Sequence, residues 1–277
     1  MSLKSVSRAF SRILATTTLV ALSLPALAQD ESGPNLGPAA EGAAPGGAST
    51  MSLAQELYAM GLSQGDAVTV LAAAKMAASV DAVTAEPAAL DPATMIFDEG
   101  ETTLRKKAAP VAAPSAPAPM GTDGTPRAVA RASFFNATSE EDGAADAPVS
   151  ADAMFARSQE LAAGDDALLA VIESAMAEGP RDRIGGAVSW PSRLAAGTTD
   201  VWEVPFYGNF RAEIAVIGDG DANLDVVVTD ETGNVVCRDV SWSDSLYCDF
   251  TPARDGYFYV TVENLGRARN SYHLMTN

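Results

Sequence analysis

The residues best equipped for chemistry lie in the last third of the chain. Asp219, Asp221 and Asp225 form the densest acidic cluster there, with Asp230 nearby. They sit around a Gly218-Asp219-Gly220-Asp221 turn. Calcium takes oxygen ligands, and a glycine-flanked aspartate turn can place several in a small radius. The same composition also describes an ordinary solvated turn, because Gly and Asp dominate turns. The spacing is not that of an EF-hand loop, and the closing Glu is missing. Calcium is the one cofactor the pattern admits; otherwise none is expected.

Three further residue types invite comparison. Cys237 and Cys248 are the only cysteines. Zinc sites and redox pairs use tighter spacing and more ligands, so a structural disulfide is expected. A hairpin turning at Trp242-Ser243 would set the two opposite each other, and closing that loop is worth about 3 kcal/mol. His273 is the only histidine. It reads as a strand-face residue, since a triad would need a nucleophile and an acid around it. Of the three tryptophans, Trp242 falls at the expected hairpin tip, where burial is hard to arrange. Such an aromatic either packs locally or stacks on a sugar or a protein partner. Trp202 alternates with Val201 and suits a core. No recognisable catalytic constellation is assigned.

Those residues must be positioned in a particular compartment. Lys4, Arg8 and Arg12 precede a short apolar run from Ile13 to Leu24. Pro25 and Ala26-Leu27-Ala28 follow, which is the form of a cleaved signal peptide over residues 1–28. The run is shorter than the ~20 apolar residues that span a bilayer. No membrane insertion is expected once the signal is removed. The signal holds three of the 18 basic residues and no acidic one, leaving 15 against 36, a formal charge of −21. Such acidity disfavours nucleic acid and anionic lipid. A periplasmic or secreted location follows, and it suits a disulfide.

The elements are uneven along the chain. Residues 29–50 are rich in Gly, Ala and Pro and read as a disordered leader. Residues 51–80 read as a helical hairpin. Leu53, Leu57 and Met60 keep helical spacing, Gly61 stops the first turn, and Ser63 with Asp66 resembles a capping box. Residues 81–149 are an Ala/Pro-rich linker, expected to be mostly disordered. Thr94 to Phe97 and Ala132 to Phe135 are apolar islands in it, either incidental or short docking peptides. Residues 150–180 read as a second hairpin, with Asp165 as a cap and Gly179-Pro180 as a stop. It echoes the first hairpin, and the two would pack as a small bundle. From residue 184 the apolar period falls to two. The strands are short, evenly spaced and broken by Gly, Asp and Asn turns, which predicts an antiparallel β-sandwich over 184–277. Phe258, Val260 and Val262 would face its core, with Tyr257, Tyr259 and Thr261 on the opposite face.

The order of motifs in this region resembles the bacterial pre-peptidase carboxy-terminal domain. The residues are Asp200 to Val204, Gly218 to Asp221, Leu224 to Val228, Gly233-Asn234 and Gly256 to Val262. Asn223 replaces the first acid of the family's DLDL-like strand, and the Cys pair is not a general feature of it. The resemblance covers about residues 184–277. It implies a jelly-roll-like sandwich that is non-catalytic, assists secretion or binds an extracellular polymer, sometimes with calcium. No peptidase precedes it here. The expected protein is therefore an exported, non-catalytic module for an unknown protein or extracellular polymer. The alternatives are a calcium-dependent structural or adhesion module, or an accessory of a secreted hydrolase.

Overall fold

A computed structural model describes residues 33–39, 45–85, 87–89, 95–97, 104–106, 133–136, 149–179, 184–220 and 223–277. The signal segment, most of the 81–149 linker and Asp221 lie outside them. Helix α1 (Gly47–Gln64) and helix α2 (Ala67–Ser79) run into strand β1 (Val80–Thr84). Short strands β2 (Ala88–Ala89), β3 (Met95–Phe97), β4 (Leu104–Lys106) and β5 (Ser133–Asn136) follow, then α3 (Ala151–Leu161) and α4 (Asp166–Glu178). The remaining strands are β6 (Ile184–Leu194), β7 (Thr199–Phe206), β8 (Ala212–Gly218), β9 (Leu224–Asp230), β10 (Val235–Asp239), β11 (Ser245–Phe250), β12 (Gly256–Asn264) and β13 (Asn270–Thr276).

Two sheets pack face to face. One has the order β1-β6-β13-β8-β11, the other β10-β9-β12-β7-β5-β2. The strands from β6 onward pair antiparallel with one another. Period-two alternation puts the even-numbered residues between the sheets. Trp190, Trp202, Val204, Ile214, Val226, Phe258, Val260, Tyr272 and Leu274 fill that core. Phe206, Phe250 and Phe258 meet edge-on or tilted, with centroids 4.7 to 5.7 Å apart. Each fully buried large side chain contributes roughly 1.5–3 kcal/mol.

The outer faces are covered too, which simple alternation does not predict. Tyr259 is fully buried although it points away from the core. Its hydroxyl donates to Glu203 Oε2 at 2.8 Å. Strand β4, paired with β3, lies against β9 and β12 on this side. The island around Phe135 is β5, which pairs antiparallel with β7. On the other sheet, α1 packs Ala48 against Ala187, Ala215, Ile217 and Met275.

Several expectations need correction. Residues 33–39 of the expected disordered leader lie on the sandwich, where Gly37 N donates to Thr251 O at 2.7 Å. Asn35 is fully buried there, its backbone N–H bonded to Asp230 Oδ2 at 2.8 Å. Helix α1 starts at Gly47, inside that leader, and does not stop at Gly61. It ends at Gly65, whose φ of 65° gives the left-handed cap that glycine tolerates. Gly61 instead allows close approach of α2, since a Cβ there would lie 2.7 Å from Val70 Cγ2. Ser63 is not the cap of α2. Asp66 is, accepting from Val68 N at 3.0 Å. The linker does not begin at residue 81, because β1 pairs in parallel with β6.

The two helical hairpins share a cluster of Ala54, Leu71, Ala74, Met154, Phe155 and Ile172. Gln55 ties them with two bonds to the Val149 backbone, at 2.9 and 3.2 Å. Ser158 Oγ donates to Ala67 O at 2.8 Å. Among the described residues, no helix is long and apolar enough to cross a membrane.

Candidate functional site

Strand β10 belongs to one sheet and β11 to the other, and each is the edge strand of its sheet. The expected Cys-bearing hairpin is therefore not a hairpin. The 240–244 link crosses between the sheets, and the Cys237–Cys248 disulfide ties the two edges with Cα atoms 6.4 Å apart. Pairing of the cysteines is as expected. Their partners in the ladders are different strands, because β10 completes the β9 edge and β11 the β8 edge.

The crossing carries Trp242, which is 96% exposed. The backbone beneath it is held by short-range polar contacts. Ser241 N donates to Asp239 Oδ1 at 2.8 Å, and Ser245 N to Ser243 Oγ at 3.1 Å. Gly218 N donates to Asp244 O at 2.9 Å, and Leu224 N to Ser243 O at 3.3 Å. Gly220 N donates to the Asp244 carboxylate. A fixed turn thus holds a large apolar ring in water, leaving unused a surface that would otherwise be worth about 25 cal/mol per Å².

Beside the indole lies a groove of about 670 Å³. Asn223, Asp225 and Asp244 supply polar groups, and Val240 and Leu265 supply apolar ones. Burial pushes the Asp244 carboxyl above the usual range, and the neighbouring charge of Asp219 adds to the shift against a bond from Gly220 N. Burial likewise raises Asp225, opposed by the Asn223 side chain and reinforced by Asp239. The groove is therefore lined by carboxylates that repel their neighbours.

Of the four aspartates expected as a calcium set, Asp230 stands away from Asp225. Asp219 Oδ2 accepts from Ser271 N at 3.0 Å. Asp221 lies outside the described residues. Asp225 and Asp230 stand at opposite ends of β9, about 17 Å apart at strand rise. The Asp230 carboxylate takes the backbone N–H groups of Asn35, Thr232 and Asn234, at 2.8 to 2.9 Å, and two side-chain donors. Burial raises its pKa, but these bonds outweigh burial and hold it below the usual range. A carboxylate saturated by protein donors has no lone pair directed outward, so Asp230 does not join Asp225 on one ion. Among the described residues, no three His, Cys, Asp or Glu side chains stand close enough to share a metal.

His273 has one partner that sequence reasoning missed. Its Nδ1 lies 2.6 Å from Ser189 Oγ, across the β6–β13 pair. Burial alone lowers its pKa to about 4. A carboxylate partner of the kind that completes a triad would push the value upward. Ser189 is itself buried, so the pair is a satisfied contact on the outer sheet face. Gly61-Leu62-Ser63-Gln64-Gly65 has the G-x-S-x-G form of a nucleophile elbow, which requires a strand, a sharp turn and a helix. Here it is the last turn of α1, and Ser63 Oγ donates to Met60 O at 2.8 Å. The match is one of letters only.

Sequence spacing singled out Trp242 as a candidate but did not set Asp239, Asp244 or Asn223 beside it. The signal was present in Asp239-Val240-Ser241-Trp242-Ser243-Asp244, where acids flank the indole on both sides. Trp190 and Trp202 are fully buried and belong to the core.

No protein-family model matches the chain, and no curated protein does. Among solved structures, the chain is similar to the pre-peptidase C-terminal domain of a collagenase from Bacillus anthracis. The identity is 14%, with 33% of this chain and 76% of that one covered and a TM-score of 0.22. It is also similar to the CBM22-1–GH10 modules of a Clostridium thermocellum xylanase crystallised with xylohexaose. There the identity is 8%, covering 32% and 24%, with a TM-score of 0.22. A third is TmCBM61 in complex with β-1,4-galactotriose, at 12% identity, covering 31% and 68%, with a TM-score of 0.20. Each of these matches covers about a third of this chain.

Proposed function

We propose that this protein is an exported, non-catalytic binding module whose ligand surface is the groove beside Trp242. The observation that carries this reading is the fully exposed indole on a turn fixed by the inter-sheet disulfide and by backbone hydrogen bonds. Interface energy concentrates in such aromatic anchors when a partner covers them. A pre-formed turn also lowers the ordering entropy that binding must overcome. The disulfide and the amino-terminal signal pattern support export. The non-catalytic part is supported by the fate of the reactive side chains. His273 is held neutral by burial against a buried serine, and the acidic residues near the groove hold turns together.

The test uses the mature protein as bait in periplasm and medium of the native cell. Capture that is lost with Trp242→Ala, at unchanged Tm, supports the groove. Capture that survives the substitution and deletion of residues 184–277 places binding in the helices, where Val171 and Met176 of α4 are exposed. Labelling by an active-site-directed hydrolase probe would overturn the non-catalytic reading.

A further inference from the structure

Resting on that reading of the groove, we infer that its occupant is an extended, basic polypeptide segment of a partner protein, with a Lys or Arg side chain laid on the Trp242 ring between Asp225 and Asp244.

Charge is the first argument. Asp225 and Asp244 line the groove, with Asp239 beside the first and Asp219 beside the second. Arg238 is the cation acting on Asp225. Each groove carboxyl is raised chiefly by burial and further by its acidic neighbour. A cation seated between Asp225 and Asp244 would favour the charged form of both. Indole is also the strongest of the aromatic faces for an organic cation. The whole chain carries a formal charge of −18, which steers basic partners toward it.

Backbone geometry is the second argument, and it favours a polypeptide. The groove lies at the link between two edge strands. Among the described residues, β10 pairs only with β9, and β11 only with β8. Each therefore presents one ladder edge, and an extended peptide can add to such an edge through its main chain. The groove is lined from Val240 to Asp244, just past the end of β10 and just before the start of β11, so the end of a peptide paired along either edge would carry a basic residue to the indole. The Asn223 amide, by contrast, is already engaged. Its nitrogen lies 3.3 Å from Asp225 Oδ1. That removes the amide fork on which recognition of neutral hydroxyls would draw.

Tryptophan fluorescence of the mature protein tests the inference, because Trp190 and Trp202 are buried and Trp242 is the exposed reporter. The titrants are an alternating Lys-Val octapeptide, its Glu-Val counterpart, a neutral β-1,4-linked hexasaccharide and a glucosamine hexamer. The expected result is a response to the Lys peptide alone. Affinities of the variants are read by titration calorimetry, which does not depend on the indole; they should fall about tenfold in Asp225→Asn/Asp244→Asn and more in Trp242→Ala, with Tm unchanged, and should weaken with salt. Lys-peptide binding that is indifferent to Trp242→Ala overturns the inference, since it reports diffuse charge attraction. A response to the hexasaccharide, or to the glucosamine hexamer without the peptide, overturns the polypeptide while leaving the groove as the binding site. Silence to all four, together with native capture that ignores Trp242→Ala, removes both readings.

Discussion

Glu213 on β8 accepts a hydrogen bond of 2.9 Å from the backbone N–H of Gly46, the residue immediately before α1. The carboxylate is 1% exposed and also receives Ser49 N at 3.3 Å. A side chain of the sandwich thus caps a helix of the amino-terminal region, at a terminus that has no cap of its own. Arg211 lies 3.4 Å from the same carboxylate and offsets its charge. Gly46 permits the approach, because a Cβ there would meet the carboxylate oxygens.

This contact gives the first prediction. Glu213→Ala leaves the first N–H groups of α1 and the Arg211 guanidinium short of a buried partner. The expected loss is about 3 kcal/mol, measured by urea unfolding. Glu213→Gln keeps an acceptor for the helix and should lose less. Equal losses in the two variants would refute capping as the cause.

The second prediction concerns pH. Asp200 is buried and accepts from Tyr272 Oη at 2.6 Å and Ser192 Oγ at 2.7 Å, while its Oδ1 has no partner among the described residues. Burial raises its pKa from 3.8 to about 7, against the two bonds. The native state therefore holds a proton that the unfolded chain releases. This stabilisation is complete below pH 3.8 and is lost as pH rises to about 7. His273 has the opposite sign. Burial lowers it from 6.5 to about 4, so its contribution is present above pH 6.5 and is lost as pH falls toward 4. Each slope is at most ~1.4 kcal/mol per pH unit, and the two oppose each other. Asp200→Asn mimics the protonated acid, so its stability should rise with pH relative to the wild type between pH 4 and 6.5. A variant that tracks the wild type through chemical denaturation across that range would sink the assignment.

The disulfide supplies the third. Cys237→Ser/Cys248→Ser should cost about 3 kcal/mol, seen as a lower Tm. The fold should persist, because the core lies among strands that pair without it. The freed 240–244 link would release Trp242. Fluorescence anisotropy of that residue should fall more than the change in Tm alone explains.

The fourth bears on calcium. The Asp230 carboxylate builds the 230–234 turn and anchors Asn35. Asp230→Ala should therefore destabilise by about 2 kcal/mol or more, since several buried donors lose their acceptor. Calcium and chelator should leave the wild-type Tm unmoved. A calcium-dependent rise in Tm would assign a metal to the Gly218–Asp225 turn after all.

Sequence and structure divide this protein along physical lines. Period-two alternation after residue 184 determined the sandwich, because side chains on a strand must alternate between faces. The even-numbered residues from Trp190 to Leu274 form its core accordingly. Composition also indicated that Cys237 and Cys248 pair. Local patterns failed where the partner was distant. Nothing near Gly46 says that Glu213 will cap it, and nothing near Asp230 says that Asn35 will bond to it. Tyr259 reads as solvent-facing, yet it is fully buried with its hydroxyl on Glu203. Gly61 reads as a helix stop until Val70 is brought against it. The four aspartates looked like one site because they are close in sequence, yet an extended strand carries Asp230 to the far end from Asp225. Trp242 shows the division most simply. Its sequence placed it in a turn, but only the crossing between two sheets, pinned by the disulfide, left its ring in water beside Asp225 and Asp244. Local periodicity fixes which face a residue occupies; which faces meet, and which stay bare, depends on contacts between segments far apart in the chain.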